Sequence, residues 1–133
     1  MRQSHIRPLD REKVPGCTYC RPQVASLGMT EHQAKNDGYK VRVGRFNYQA
    51  NGKALAINAP EGFVKTVFDE RSGELLGAHM VGNDVTEQIQ VYGIAQALEA
   101  TDAELAHTIF AHPTLSEMMH ESVLDAYGRA IHF

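Results

Sequence analysis

Two neighbouring segments, GFVKTVFDE at 62–70 and ELLGAHMVG at 74–82, carry apolar residues on both of their alternating faces. A strand with one wet side alternates apolar with polar, so a strand apolar on both sides has to be covered on both. Gly73 supplies the turn of a short hairpin connection between them. The pair is therefore expected at the centre of a sheet with other elements packed over it.

The remaining pattern fills in around this hairpin. VPG at 14–16 punctuates the chain, and a strand is expected from there to about Ser26. In GMTEHQAKNDG, Thr30 and Gln33 have capping-box spacing and Gly38 stops a short helix. YKVRVGRFNY reads as a strand alternating through Tyr39, Val41 and Val43 before slipping phase to Phe46 and Tyr48. A bulge near Gly44 would produce that slip. NDVTEQIQVYGIAQALEA is the longest helix, opened by Asn83 or Asp84. One apolar stripe runs through Val85, Ile89 and Tyr92, and another through Val91, Ile94 and Leu98. Thr101 and Glu104 make a second capping box.

A last helix is expected from about Thr114 to Arg129. Leu115, Met118, Met119, Ser122, Val123, Ala126, Tyr127 and Ala130 fall on one of its faces. That stripe reads as core, although adjacent methionines also suit an adaptable interface. Together these elements give an α+β fold, an antiparallel sheet with helices packed on it. At 133 residues the chain is one domain, spanning 15–133 after a patternless lead-in at 1–14. The lead-in is the end of a preceding domain or an added segment.

Bulk properties exclude several function classes. A formal charge of −3 gives no general attraction to nucleic acid or an anionic membrane. No apolar run approaches the ~20 residues of a membrane span. The first residues, MRQSHIRPLDREKVPG, are polar throughout and do not read as a secretory signal, so a cytoplasmic protein is expected. No two glycines stand two apart and no GxSxG occurs, which removes a dinucleotide fingerprint and a nucleophile elbow. Cys17 and Cys20 form a CxxC. On the expected continuous strand their sulfurs would point to opposite sides, so they read as two ordinary thiols.

HPTLSE at 112–117 carries the chemistry. Proline is excluded from a helix interior and biases the residue before it away from helical geometry, so His112 sits on a turn ahead of the last helix. Thr114 and Glu117 have the spacing of a capping box. The same carboxylate could instead meet His112 folding back from the turn, fixing its tautomer and leaving the other ring nitrogen to move a proton. An imidazole, ordinarily titrating near ~6.5, suits that task at neutral pH. The residues alone leave capping and catalysis open. Glu117 and His120 also have ExxH spacing, but a carboxylate-bridged metal site needs a second ExxH that the chain lacks, so no metal is expected.

AHPTLSE, the amphipathic helix after it and the terminal GRAIHF closely resemble the C-terminal end of the pyridine nucleotide–disulfide oxidoreductases, in the dihydrolipoamide dehydrogenase branch. Glutathione reductase and mercuric reductase belong to the same family. VPGCTYCRPQVASLGMTE, YKVRVGRF and GFVKTVFDERSGELLGAHMVG follow the family's order upstream, so the resemblance covers about 14–133. Arg21 departs from it, standing before Pro22 where relatives often carry histidine, and receives no catalytic role.

The resemblance implies the dimerisation (interface) domain that follows the FAD- and NAD-binding domains of a homodimeric enzyme. FAD, NAD and the redox-active cysteine pair belong to those other domains, and Cys17 and Cys20 are in the wrong place to be that pair. By the same resemblance, His112 is the acid–base residue for dihydrolipoamide oxidation and Glu117 orients it. The backbone of His112–Pro113 approaches the partner subunit's FAD, with a cis peptide expected between them. An acyltransferase subunit of a 2-oxo-acid dehydrogenase complex is an implied partner. The chain alone is expected to bind no cofactor and to be inactive. Two alternatives stand beside this reading. One is a free-standing dimerisation or docking module without catalysis; the other is the interface domain of a glutathione or mercuric reductase type enzyme.

Overall fold

The computed structural model describes residues 8–133. Its frame is a five-stranded antiparallel sheet. The strands are β1 (Gly16–Thr18), β2 (Gln23–Gly28), β3 (Val41–Asn47), β4 (Phe63–Asp69) and β5 (Leu75–Gly82), in the spatial order β1-β2-β5-β4-β3. Five helices connect and cover them: α1 (Glu31–Asn36), α2 (Gly52–Ala56), α3 (Val85–Ala97), α4 (Asp102–His107) and α5 (Glu117–Asp125). The α+β class read from the sequence is the class observed. Residues 1–7 of the expected lead-in lie outside the described residues.

The β4–β5 hairpin is central and covered on both faces, as its double apolar pattern requires. One face carries Ala25, Leu27, Phe46, Val64, Ala78 and Met80 against α3 and α5. The other buries Val67 and Leu76 beneath Ala34 of α1, with Met29, Tyr39 and Val41 alongside. Leu75 and Leu76 point to opposite clusters as neighbours on a strand do, and the β4–β5 register shift between Val67 and Phe68 decides which cluster each one joins. Val67 pairs with Gly77 while Phe68 pairs with Leu75, and Leu76 is the extra residue. Gly73, at φ +76°, makes the turn in a conformation that a side chain disfavours.

The structure corrects three sequence expectations and separates the two apolar stripes of α3. The strand expected from 14–16 to Ser26 is two strands, broken at 19–22 and paired with each other as an antiparallel ladder. The bulge expected near Gly44 is absent, since β3 pairs with β4 without a break from Val41 to Asn47. The phase slip arises because both sides of β3 are covered, Val41 and Val43 on one and Gly44 and Phe46 on the other. Gly44 is apolar by absence: a Cβ there would stand 1.8 Å from the Ser122 carbonyl oxygen, so α5 rests on bare backbone. The stripe Val91, Ile94 and Leu98 faces outward, at 39%, 53% and 75% exposure, and only the Val85, Ile89, Tyr92 stripe is core. Finally, the last helix is shorter than 114–129, running from Glu117 to Asp125 and closing at Gly128 with φ +64°.

Local signals survive better. Thr30–Gln33 and Thr101–Glu104 are both reciprocal capping boxes. Asp84 does precede α3, but in a left-handed conformation and without a side-chain cap bond. Leu115, Met118, Met119 and Val123 are buried, so the methionine pair is core. No described helix is long and apolar enough to cross a membrane.

Candidate functional site

The turn at 111–116 is fixed before it delivers its histidine. The His112–Pro113 peptide is cis, in agreement with the expectation. The Thr114 hydroxyl donates to the Ala111 carbonyl at 2.7 Å, and the Asn51 amide donates to the Thr114 carbonyl at 3.0 Å. Below the turn, α5 is anchored through Met118, Met119 and Val123 and a buried hydroxyl pair, Thr66 and Ser122, 2.9 Å apart. Asp125 accepts the Arg45 backbone N–H at 2.8 Å at the far end of the helix. A carboxylate at the first position of α5 therefore stands on a rigid support.

That carboxylate is Glu117. One oxygen accepts the Thr114 backbone N–H at 2.9 Å, and the other lies 2.8 Å from His112 Nδ1. The capping box expected from spacing is thus half formed: Thr114 gives its hydroxyl to Ala111 rather than receiving an N–H, and Ser116 occupies the cap position. Freed from reciprocity, one carboxylate both closes the turn and holds the ring. Burial pushes the Glu117 carboxyl up. The Thr114 N–H, the hydrogen bond from His112 and the charges of His112 and His132 outweigh this and hold it below its ordinary value.

An ionised carboxylate only accepts, so His112 Nδ1 carries the hydrogen, and in the neutral form of the ring the lone pair is on Nε2. The His112 side chain is 79% exposed while Glu117 is 27% exposed. Nε2 has no partner among the described residues. The arrangement presents an oriented imidazole to whatever approaches this surface. Neither residue lines the cleft of about 480 Å³ bordered by Gly28, Leu75 and Gln96, nor the one bordered by Tyr19, Arg21 and Asp84. The His112 ring thus stands at an open surface, held from one side by Glu117.

The other sequence candidates are used differently. His120 does not join Glu117: its Nε2–H donates to the Ala106 carbonyl at 2.9 Å and its ring stacks on Phe110, centroids 5.4 Å apart. Cys17 on β1 is partly buried, Cys20 in the following bend is exposed, and both thiols are free. The Cys20 thiol donates to the Pro22 carbonyl at 3.1 Å. One pairing escaped the sequence reading altogether. Glu121 on α5 bonds to Ile131 and His132 of the C-terminal tail. The only sequence hint was a second glutamate four residues after Glu117.

Residues 14–123 match the pyridine nucleotide-disulphide oxidoreductase dimerisation domain. Over 129 residues the chain is 64% identical to the dihydrolipoyl dehydrogenase of Zymomonas mobilis, covering 97% of this chain and 28% of that protein. It is 60% identical over 127 residues to the dihydrolipoyl dehydrogenase of Rhizobium etli, covering 96% of this chain and 26% of that protein. The chain therefore spans only about a quarter of the length of these relatives. Among solved structures, the HOCl-induced flavoprotein disulfide reductase RclA from Escherichia coli superposes with a TM-score of 0.81 at 27% identity, over 85% of this chain and 26% of that one. LpdA from Mycobacterium tuberculosis shares the fold, with a TM-score of 0.82 at 24% identity, over 88% of this chain and 26% of that one. Matched along most of its length, the chain belongs to the dimerisation-domain family of the pyridine nucleotide–disulphide oxidoreductases.

Proposed function

We propose that the chain serves as the C-terminal dimerisation domain of a dihydrolipoyl dehydrogenase, supplying His112 as acid–base residue and Glu117 as the group that orients it. The observation that carries the reading is the 2.8 Å His112–Glu117 contact on an exposed turn, with Nε2 facing outward. Dihydrolipoamide is a dithiol, and thiols with pKa near ~8.5 are mostly protonated at neutral pH, although only the thiolate attacks a disulfide. His112 Nε2 takes the thiol proton, and Glu117 stabilises the resulting imidazolium. Positioned acid–base catalysis of this kind contributes roughly 10²–10⁴ in rate.

FAD and NAD belong, on this reading, to the portion of the relatives that the chain does not span. With no closely spaced glycines, these residues build no nucleotide cradle of their own. The exposed edge at His112–Pro113 would instead meet the flavin of a partner subunit in a homodimer. The flavin, when bound there, carries electrons between the disulfide and NAD. Residues 1–14 are then the end of the preceding domain. Docking to an acyltransferase subunit of a 2-oxo-acid dehydrogenase complex and a cytoplasmic location belong to the same reading.

The test joins this chain to the flavin- and nicotinamide-binding portion of its 64% identical relative. The chimera is expected to oxidise dihydrolipoamide, and His112→Ala to lower kcat by roughly 10²–10⁴. Undiminished turnover in the His112→Ala chimera would remove the acid–base role.

A further inference from the structure

One turn beyond Glu117, α5 carries a second carboxylate whose partners are all in the C-terminal tail. The Glu121 side chain is only 7% exposed. One oxygen lies 2.6 Å from His132 Nδ1; the other accepts the Ile131 N–H at 2.8 Å and the His132 N–H at 3.5 Å. A buried carboxylate persists only where donors compensate it. Here no donor comes from the sheet or another helix. The His132 side chain is 66% exposed, so Glu121 rather than packing fixes where its ring stands.

Residues four apart on a helix are neighbours, which puts the two carboxylates on one face of α5. We infer that Glu121 and His132 form a positioning pair for the Glu117–His112 pair: Glu121 clamps the tail so that the His132 imidazole is held, without a direct bond to Glu117, on the face of α5 that carries it, and steadies that carboxylate for its bond with His112. The charge of His132 is among those that hold the Glu117 carboxyl low, which agrees with this placement.

Charged groups on the neighbouring elements are engaged elsewhere. On α5 itself, His120 donates to the Ala106 carbonyl and Asp125 accepts from Arg45. On α4, His107 Nδ1–H donates to the Ala103 carbonyl and Glu104 caps Thr101. On the sheet, Arg42 lies over the Tyr127 ring and Lys65 pairs with Glu31.

The catalytic consequence rests on the acid–base reading of His112; the test does not, because it reads the Glu117 carboxyl directly. Carbon-13 carboxyl NMR follows the Glu117 titration in the wild-type chain, in His132→Gln and in Ile131→Pro. Histidine is cationic throughout the carboxylate range, so His132→Gln removes a charge there. Ile131→Pro removes one donor of the clamp and changes no charge. Both variants are expected to raise the Glu117 midpoint, on the order of a few tenths of a pH unit for His132→Gln. Amide spectra verify that the fold is kept. A Glu117 midpoint unmoved by His132→Gln overturns the inference, and so does one unmoved by Ile131→Pro.

Discussion

Replacing Gly44 by alanine adds one methyl group where the backbone of α5 already lies. The new Cβ would stand 1.8 Å from the Ser122 carbonyl oxygen and 2.8 Å from the Ala126 nitrogen. Non-bonded heavy atoms normally rest about 3.5 Å apart, so α5 has to retreat by more than an ångström. No flexible side chain can yield in its place, because both close atoms are backbone. Retreat strains the Thr66–Ser122 hydroxyl pair, the Ser122 bond to the Gly44 carbonyl and the Arg45–Asp125 bond. Overpacking costs about 1–3 kcal/mol, and each lost hydrogen bond about 0.5–1.5 kcal/mol. Alanine returns about 0.4–1 kcal/mol by restricting the unfolded chain. The net expectation is a loss of about 3 kcal/mol.

Urea unfolding followed by circular dichroism checks this. With slopes of about 1–3 kcal/mol/M, the midpoint should fall by more than about 1 M. Gly52→Ala is the control. No atom lies within 4 Å of its added methyl, and the site opens α2, so its midpoint should hold or rise. A Gly44→Ala midpoint equal to or above wild type would falsify the claim that α5 rests on bare strand backbone.

Other outcomes follow from the charged and buried groups. Hydrogen bonds from Lys35 and Lys65 hold the Glu31 carboxyl at about 2, against 4.5 ordinarily. A depressed carboxylate stabilises the fold fully above its unfolded pKa and loses that contribution as pH falls toward 2. Discounted for its 27% exposed side chain, the contribution is about 1 kcal/mol, and Glu31→Gln should flatten the stability curve between about pH 5 and 2. Burial pushes the Tyr48 phenol up to about 12, and its hydroxyl donates to the Asn83 carbonyl at 2.7 Å. The folded state thus keeps a proton that the unfolded chain releases near ~10, so stability should decline as pH rises from there toward 12. Ultraviolet titration should show Tyr48 and the fully buried Tyr92, which burial also pushes up, ionising after the other tyrosines, and Tyr48→Phe should cost about 1 kcal/mol at neutral pH.

The central hairpin and both reciprocal capping boxes were legible in the linear chain. Their determinants lie within a few residues, and an apolar pattern on both faces admits only a covered position. Pro113 likewise dictates that His112 leaves the helix. The resemblance of HPTLSE to a known family named the roles, while spacing left Glu117 between capping and catalysis. Tertiary structure decided the matters that depend on a neighbour. Gly44 marks the close approach of α5 rather than a bulge, because only the helix above it makes a missing side chain necessary. Val91, Ile94 and Leu98 have the spacing of a buried stripe, yet α3 turns them outward while Val85, Ile89 and Tyr92 meet the sheet. Thr114 does not cap α5, since its hydroxyl finds the Ala111 carbonyl first, and Ser116 takes the cap position without a side-chain bond. Glu121 meets His132 only after the chain reverses at Gly128, which no local periodicity encodes. HPTLSE could announce a histidine and a carboxylate in one turn; the packing of α5 is what brings them to 2.8 Å and leaves Nε2 facing out.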